Sequence, residues 1–535
     1  QLSHVILLGE GIDDTRDNSP SRRYNLIPVK KTWTYKHGAT ASDTWYGCIV
    51  GNDLVPDISI SRIGIWTNDQ ILNFAQKSYN YRNNLLTNRL WNSHLTFTAG
   101  GKISDGNDIF SQQSERIRRK VIPRDYRVTR VFTTTQTVSS DYSGGTFHLK
   151  DAMNTGTQFV QFMGHGGGRI WADYNLFNFD DVATLNNQAY PVVLSLACYA
   201  SAFDTNGSAS ISEAFIMQPN TGAIATLGFS GLGYLAHDET WGLAFGEAAF
   251  THDFPTLGEA YVYGLARFYT TTSSPAARYA LTNASVLMGD PLVYLNKPIP
   301  NVAVAPLNPN PVPGETLQVR AEFPPEVTNA RLYVMKENEK TINVPFVLPV
   351  DGGVFNATYN VPNSPTNYSR RIMVAGYSSQ KEYIGRSYIG VGRPVVFHHT
   401  LSPSIPAYSD SVNFTAKIFS TLDVMSMVCK VRTDTVSTTT AQYGIWVTLP
   451  MQQDPNDPTL WTTSEKLRKY NTGKELWFKY AFTDSENRTY ESFLNSYVVA
   501  GPDLFLTDIR FEASPPRLLV KGKNIGNADA GATEL

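Results

Sequence analysis

Six short segments of this chain are apolar enough to be buried on both faces. They are HVILLG (4–9), DISISRI (57–63), LTFTAG (95–100), TQFVQFMG (157–164), PVVLSLAC (191–198) and GAIATLGF (222–229). A strand without a polar face needs cover on both sides, and crossover helices supply it. Helical patterns fall between several of the segments, at Asn68 to Asn83, Ser111 to Val121 and Ser210 to Gln218. In the last, Ser210 stands three residues before Glu213, the spacing of a capping box. Up to about Lys297 the reading is therefore α/β, a mostly parallel sheet flanked by helices. In such sheets chemistry gathers at the carboxyl ends of the strands.

A proline-rich stretch, NKPIPNVAVAPLNPNPVPGE (296–315), interrupts this pattern. It suits neither a helix nor a central strand. Beyond it, short alternating segments such as TLQVRAEF, ARLYVMK and YSRRIMVAGY are separated by Gly, Pro and Asn turns. Further breaks fall near Gly392–Pro394 and Ala500–Pro502. The intervening units have the size of immunoglobulin-like β-sandwiches, about 100 residues each. The expected organisation is residues 1–90 and 91–297 as two parts of one catalytic region, sandwiches at 298–394 and 395–500, and the start of another at 501–535. The opening QLSHVILLGEG reads as a buried strand without a signal peptide before it, so the chain is read as an internal piece of a longer protein.

Charged residues make up 17% of the chain and the formal net charge is −2. That leaves no basic field for nucleic acid. No apolar run approaches the ~18 residues of a transmembrane helix. The three cysteines, Cys48, Cys198 and Cys429, are far apart and odd in number, which excludes a disulfide framework and a cysteine-based zinc site.

Two strand ends carry residues with chemistry. In FVQFMGHGGGRIWAD, an apolar strand meets Gly164, His165, Gly166, Gly167 and Gly168; in VVLSLACYASAFD, Cys198 ends a strand among the small neighbours Ala197, Ala200, Ser201 and Ala202. Parallel strands put both tips on one sheet edge, imidazole beside thiol. A cysteine nucleophile reacts as the thiolate, and a neighbouring imidazole takes its proton. Backbone N–H groups of Gly166 and Cys198 are candidate oxyanion donors. Taken singly, each residue has a plain structural explanation, a packed thiol or a turn histidine; the pair on two strand tips does not.

GHGGGRIWAD, LSLACYASAF, ISEAFIMQPNTGAIATLGFSG, LMGDPLVYL and the upstream VGNDLVPDISISRI together resemble the gingipain-type cysteine peptidases. The resemblance covers about residues 1 to 297. It implies a caspase-like fold, His165 as catalytic histidine, Cys198 as nucleophile, Glu213 as a structural acid, immunoglobulin-like modules downstream, no required cofactor, and a secreted or cell-surface location. Family members carry an acidic residue at the strand tip where LTFTAGG has Ala99, so Asp105, Asp108, Glu10 and Asp13 are the candidates for an orienting carboxylate, and arginine specificity is not implied. Trp171, Tyr234 and Leu235 are candidate walls of a substrate pocket. Glu10, Asp13, Asp14 and Asp17 are oxygen donors of the kind Ca²⁺ takes, although their spacing fits no known calcium loop. The resemblance leaves three functions open: an endopeptidase acting on protein or peptide substrates; a sortase-like transpeptidase of the type IX secretion system, joining cargo to a surface lipopolysaccharide beside an outer-membrane barrel partner; and a silent surface protein.

Overall fold

The first half of the chain is built on one eight-stranded sheet. Its strands are β1 (His4–Leu8), β4 (Ser59–Ile63), β5 (His94–Gly100), β6 (Arg127–Phe132), β7 (Phe159–Gly164), β10 (Val192–Leu196), β11 (Ala225–Phe229) and β12 (Ser285–Gly289), in the order β1-β4-β12-β11-β10-β7-β5-β6. A separate hairpin pairs β2 (Lys31–Thr34) with β3 (Gly38–Ala41), and a short ribbon pairs β8 (Ile170–Trp171) with β9 (Phe177–Asn178). The run β6-β5-β7-β10-β11 is parallel throughout, β1 is parallel to β4, and β12 is antiparallel to β11. Residues 4–63 thus join the same sheet as residues 94–289.

This is a computed structural model. It describes the chain except residues 1, 14–24, 52, 84–89, 102–108, 134–139, 173–175, 206–207, 337–338, 343–346, 365, 380, 434–444, 472–473, 502–503, 514–515 and 525–535.

Alternation along the strands sends side chains to two buried faces. Leu95, Phe97, Phe159, Met163, Val192, Leu194 and Leu196 pack with α2 (Ile109–Val121), α6 (Leu235–Gly246) and α7 (Leu257–Thr271) through Ile117, Trp241, Phe245, Tyr261 and Leu265. Val131, Val160, Phe162, Val193 and Ala197 face the other way, against α3 (Thr146–Thr155) and α5 (Ile211–Met217), with Leu149, Met153, Ala214 and Phe215. Burial on both faces is the physical reason these strands lack a polar side. The helices are capped as their sequences predict. α1 (Asn68–Arg82) starts at Thr67, which accepts the Gln70 N–H, and α5 starts at the Ser210–Glu213 capping box. α4 is a single turn (Phe179–Val182), and α8 (Pro275–Ala284) opens with a proline in its first turn.

The chain divides into two compact units, Gln1–Pro298 with Ser379–Glu382, and Ile299–Ser378 with Tyr383–Leu535. The second unit is antiparallel β. In its first module, Ala303–Pro306, Thr316–Glu322 and Val354–Asn360 form one sheet; Leu348–Pro349, Asn329–Met335, Tyr368–Tyr377 and Glu382–Val391 form the other. Thr316–Glu322 alternates exposed and buried residues, sending Leu317, Val319 and Ala321 into a core with Leu332, Ile372 and Val374. The next module, from Val395–Ser402 to Asn495–Val498, encloses its own core of Phe414, Cys429, Phe478 and Tyr480. Leu504–Ala513 and Pro516–Asn524 pair beyond it.

Candidate active site

β7 and β10 lie in register, Met163 opposite Leu196. His165 and Cys198 each stand two residues past that pair, so the imidazole and the thiol leave adjacent strand tips, about 4.8 Å apart as strands. Both residues are half-buried.

The glycines around His165 permit close approach. A Cβ on Gly164 would lie 2.1 Å from the Gly100 carbonyl oxygen, so the ends of β5 and β7 meet there only without a side chain. A Cβ on Gly166 would lie 2.8 Å from the Cys198 carbonyl oxygen and 2.9 Å from Ala197 Cβ, which places Gly166 directly on the Cys198 backbone. The Gly166–Trp171 bridge turns the segment back on itself. Ala172 N–H donates to His165 O at 2.8 Å and Gly167 N–H to Ile170 O at 3.2 Å. The His165 ring meets Phe110 edge-on, centroids 5.0 Å apart.

Cys198 is held by the loop after β11. Gly233 N–H donates to Cys198 Sγ at 3.3 Å. Burial pushes the thiol's pKa up, the Gly233 contact opposes this, and the charge of Asp238 adds to it. The net direction is upward, so this thiol holds its proton more firmly than a free one. Of the other two cysteines, Cys48 is half-buried like Cys198 and Cys429 is buried. Burial, then Asp53 and Asp57, push Cys48 up to about 11, and burial pushes Cys429 up further. Tyr199, next to Cys198, takes a left-handed conformation, φ 59°, uncommon for a bulky side chain. Its N–H donates to Gly231 O at 2.8 Å, and its hydroxyl lies 3.1 Å from His37 Nδ1.

The other expected site residues fall in different places. Trp171 is a correction: it is 0% exposed, stacked on Phe162 with centroids 4.8 Å apart and tilted against Phe177 and Phe215. The bridge to Gly166 folds it into the core, so it walls no pocket. Tyr234 caps α6 beside the thiol loop, its N–H donating to Asp238 Oδ1 at 2.8 Å, and Leu235 follows it, exposed. Ala99 is fully buried on the helix-covered face with Phe97. Glu10 is buried too; its carboxylate and that of Glu213 flank Gly64, and it accepts the Gly11 N–H at 3.1 Å. Asp13 instead pairs with Lys31 at 3.1 Å. Asp14, Asp17, Asp105 and Asp108 lie outside the described residues. Among the described residues, no three His, Cys, Asp or Glu side chains gather as a metal site.

Two features went unread in the sequence. Asp238 looks like an ordinary first-turn acid until the fold buries it; burial raises its pKa to about 7. The β2–β3 hairpin reaches the site through Tyr35, whose carbonyl accepts the Tyr234 hydroxyl, and through His37. Its signal was the alternation TWTYKHGATA around a turn.

Fold and strand tips define an α/β protein with a cysteine and a histidine just past the ends of two adjacent parallel strands. The chain belongs to peptidase family C25, whose model matches residues 1–296. Gingipain R2 of Porphyromonas gingivalis is 24% identical over 202 residues, which cover 37% of this chain and 24% of that protein. For gingipain R1 of the same species the identity is again 24%, covering 18% of its length. Among solved structures, the Arg-specific cysteine proteinase gingipain R (RgpB) is similar with a TM-score of 0.46 and 18% identity, covering 72% of this chain and 83% of that one. Dimeric latent PorU from Porphyromonas gingivalis is similar with a TM-score of 0.30 and 12% identity, covering 94% of this chain and 48% of that one.

Proposed function

We propose that the chain is a cysteine endopeptidase acting at the bacterial surface or outside the cell, with Cys198 as nucleophile and His165 as its base. The observation that carries this reading is the register of β7 and β10, which brings the two residues to neighbouring strand tips with Gly166 packed on the Cys198 backbone. His165 takes the thiol proton as Sγ attacks the scissile carbonyl carbon. The carbonyl oxygen becomes an oxyanion beside the amides of Gly166 and Cys198. Collapse breaks the C–N bond, His165 returns the proton to the departing amine, and a thioester remains. Water then releases the carboxylic acid and the free thiol. These steps need no cofactor.

Competitive alkylation of the full chain, resolved by mass spectrometry, tests the pair. Cys198 should label faster than Cys48 and Cys429 and lose that advantage in His165→Ala. Equal labelling of all three would defeat the reading and leave a silent surface protein. Peptide turnover with and without added amines then identifies the acceptor. A product capped by the amine in place of the acid would make the enzyme a sortase-like transpeptidase, and a search for a barrel partner and a glycolipid acceptor would follow.

A further inference from the structure

The β2–β3 hairpin stands beside the thiol, yet the chemistry just described takes no group from it. Its inner face is fixed. Thr34 and Thr40 are buried with their hydroxyls 2.7 Å apart, Ser230 Oγ donates to Ala41 O at 2.6 Å, and a Cβ on Gly231 would touch Thr40 and His37. Its base is tied by Lys31, which pairs with Asp204 in the loop that follows Cys198. Its turn is tied by the Tyr35 carbonyl to the Tyr234 hydroxyl and by His37 to Tyr199, the ring centroids of the last pair 5.1 Å apart. The ties to Asp204, Gly231, Tyr234 and Tyr199 run to the loops on either side of Cys198, while Lys31 also pairs with Asp13 and the hairpin also packs on α8.

The outer face is the opposite. Trp33 is 78% exposed and Tyr35 62% exposed, on either side of buried Thr34. The Trp33 ring lies over Gly38, its carbons 3.5 to 3.8 Å from where a Cβ would be. Gly38, at φ +86°, thus gives the indole a flat seat and leaves its other face to solvent. Exposed aromatics are common singly; here two share one face of a ribbon whose turn is tied to the loops around Cys198, and together they form an exposed apolar patch. Such residues supply contact area at little cost in conformational entropy.

We propose that the outer face of this hairpin is a substrate-binding wall. It takes an aromatic, proline or branched aliphatic side chain of an extended peptide whose scissile bond lies at Cys198, and Trp33 and Tyr35 set the preference for that residue. The proposal rests on the peptidase reading for its occupant. A peptide suits the spacing: alternate residues of an extended chain share a face, as do Trp33 and Tyr35. Binding energy gathered here, away from the reacting carbonyl, would hold that carbonyl over the thiol.

The test uses the full chain carrying Cys198→Ala, which cannot turn substrate over. Affinities are measured by calorimetry for peptides with a ring-bearing or branched residue scanned through each position, for matched Gly/Ser peptides, and for soluble oligosaccharides. The expected result is binding of the ring-bearing set, weakened about tenfold or more in the background that adds Trp33→Ala and Tyr35→Ala, as for removal of aromatic anchors. Melting curves check that the added substitutions leave the fold intact. The proposal is overturned if no peptide binds, if the double substitution leaves peptide affinity unchanged, or if only oligosaccharides lose affinity. Alkylation of Cys198 in the unmutated chain reports on the peptidase reading separately: an inert thiol with peptide binding on Trp33 and Tyr35 would sink that reading and keep the wall.

Discussion

Asp238 places a carboxylate close enough to Cys198 for its charge to be felt by the thiol. One oxygen accepts the Tyr234 N–H, and the residue is only 5% exposed. Burial moves its pKa up to about 7. Raising the pH through neutrality therefore adds a negative charge beside the thiol, opposing loss of the thiol proton. Asp238→Asn keeps an oxygen for the Tyr234 N–H and removes the charge. We expect the pH midpoint of Cys198 alkylation to fall in this variant, read from alkylation rates between about pH 5 and pH 10. A midpoint that rises or stays put would contradict the assignment. Stability should respond with a definite sign. The folded pKa lies above the unfolded value near 3.9, so this group's contribution is full below about pH 4 and is lost as the pH rises through about 7. The melting temperature of Asp238→Asn relative to the parent should accordingly increase from about pH 5 to about pH 8. A difference that does not change with pH would show that Asp238 does not titrate there.

At the scale of elements, the turn after β7 and the helix α5 that follows Cys198 are the sensitive parts. Gly166→Ala would drive a methyl into the Cys198 backbone, which cannot yield without moving Cys198 itself. The expected outcome is a fall in kcat of about a hundredfold with a near-parental melting temperature, the signature of misplaced reacting groups; unchanged kcat would remove Gly166 from the site. Lys77, on α1, is buried and donates to the carbonyls of Phe215, Ile216, Thr221 and Ala223 at 2.8 to 3.3 Å. A cation at the C-terminal end of α5 complements the helix dipole and satisfies its orphan carbonyls, although burial pulls the amine's pKa down to about 7. Lys77→Met should cost about 2–4 kcal/mol, measured by denaturant unfolding of the first unit, because those carbonyls would lose their donor. A cost below about 0.5 kcal/mol would mean that other donors serve them. The strands and the Ser210–Glu213 cap were legible because double-sided burial and capping leave local marks in sequence. The hairpin was not, because its aromatics face solvent and its partners lie some 190 residues away, at Ser230 and Gly231. Trp171 misled for the converse reason: a large aromatic after a glycine turn is placed by the path of the chain, here the bridge to Gly166, and local composition does not reveal that path.

The whole molecule contains separate cores, and this has a measurable consequence. The sheet of the first unit packs around residues such as Phe97, Phe159 and Trp241, while the β-module from Val395 to Val498 packs around Phe414, Cys429, Phe478 and Tyr480, with no residue shared between the clusters. Cores of this kind unfold as their own cooperative units, and a single two-state description of the chain would then fail. Cys429 reports on the second of them. It is fully buried on the strand Val424–Thr433, and its thiol is kept protonated by that burial. Cys429→Ser exchanges a small apolar sulfur for a hydroxyl in apolar surroundings, at a cost of about 1–3 kcal/mol. Calorimetry of the full chain should show the transition of that module moving down by about 5 °C or more, as a cost of this size predicts for about 100 residues. The transition of the first unit, and the alkylation rate of Cys198, should stay where they were. If both transitions moved together, the two cores would be energetically coupled, and loss of stability in that module would then alter the reactivity of Cys198.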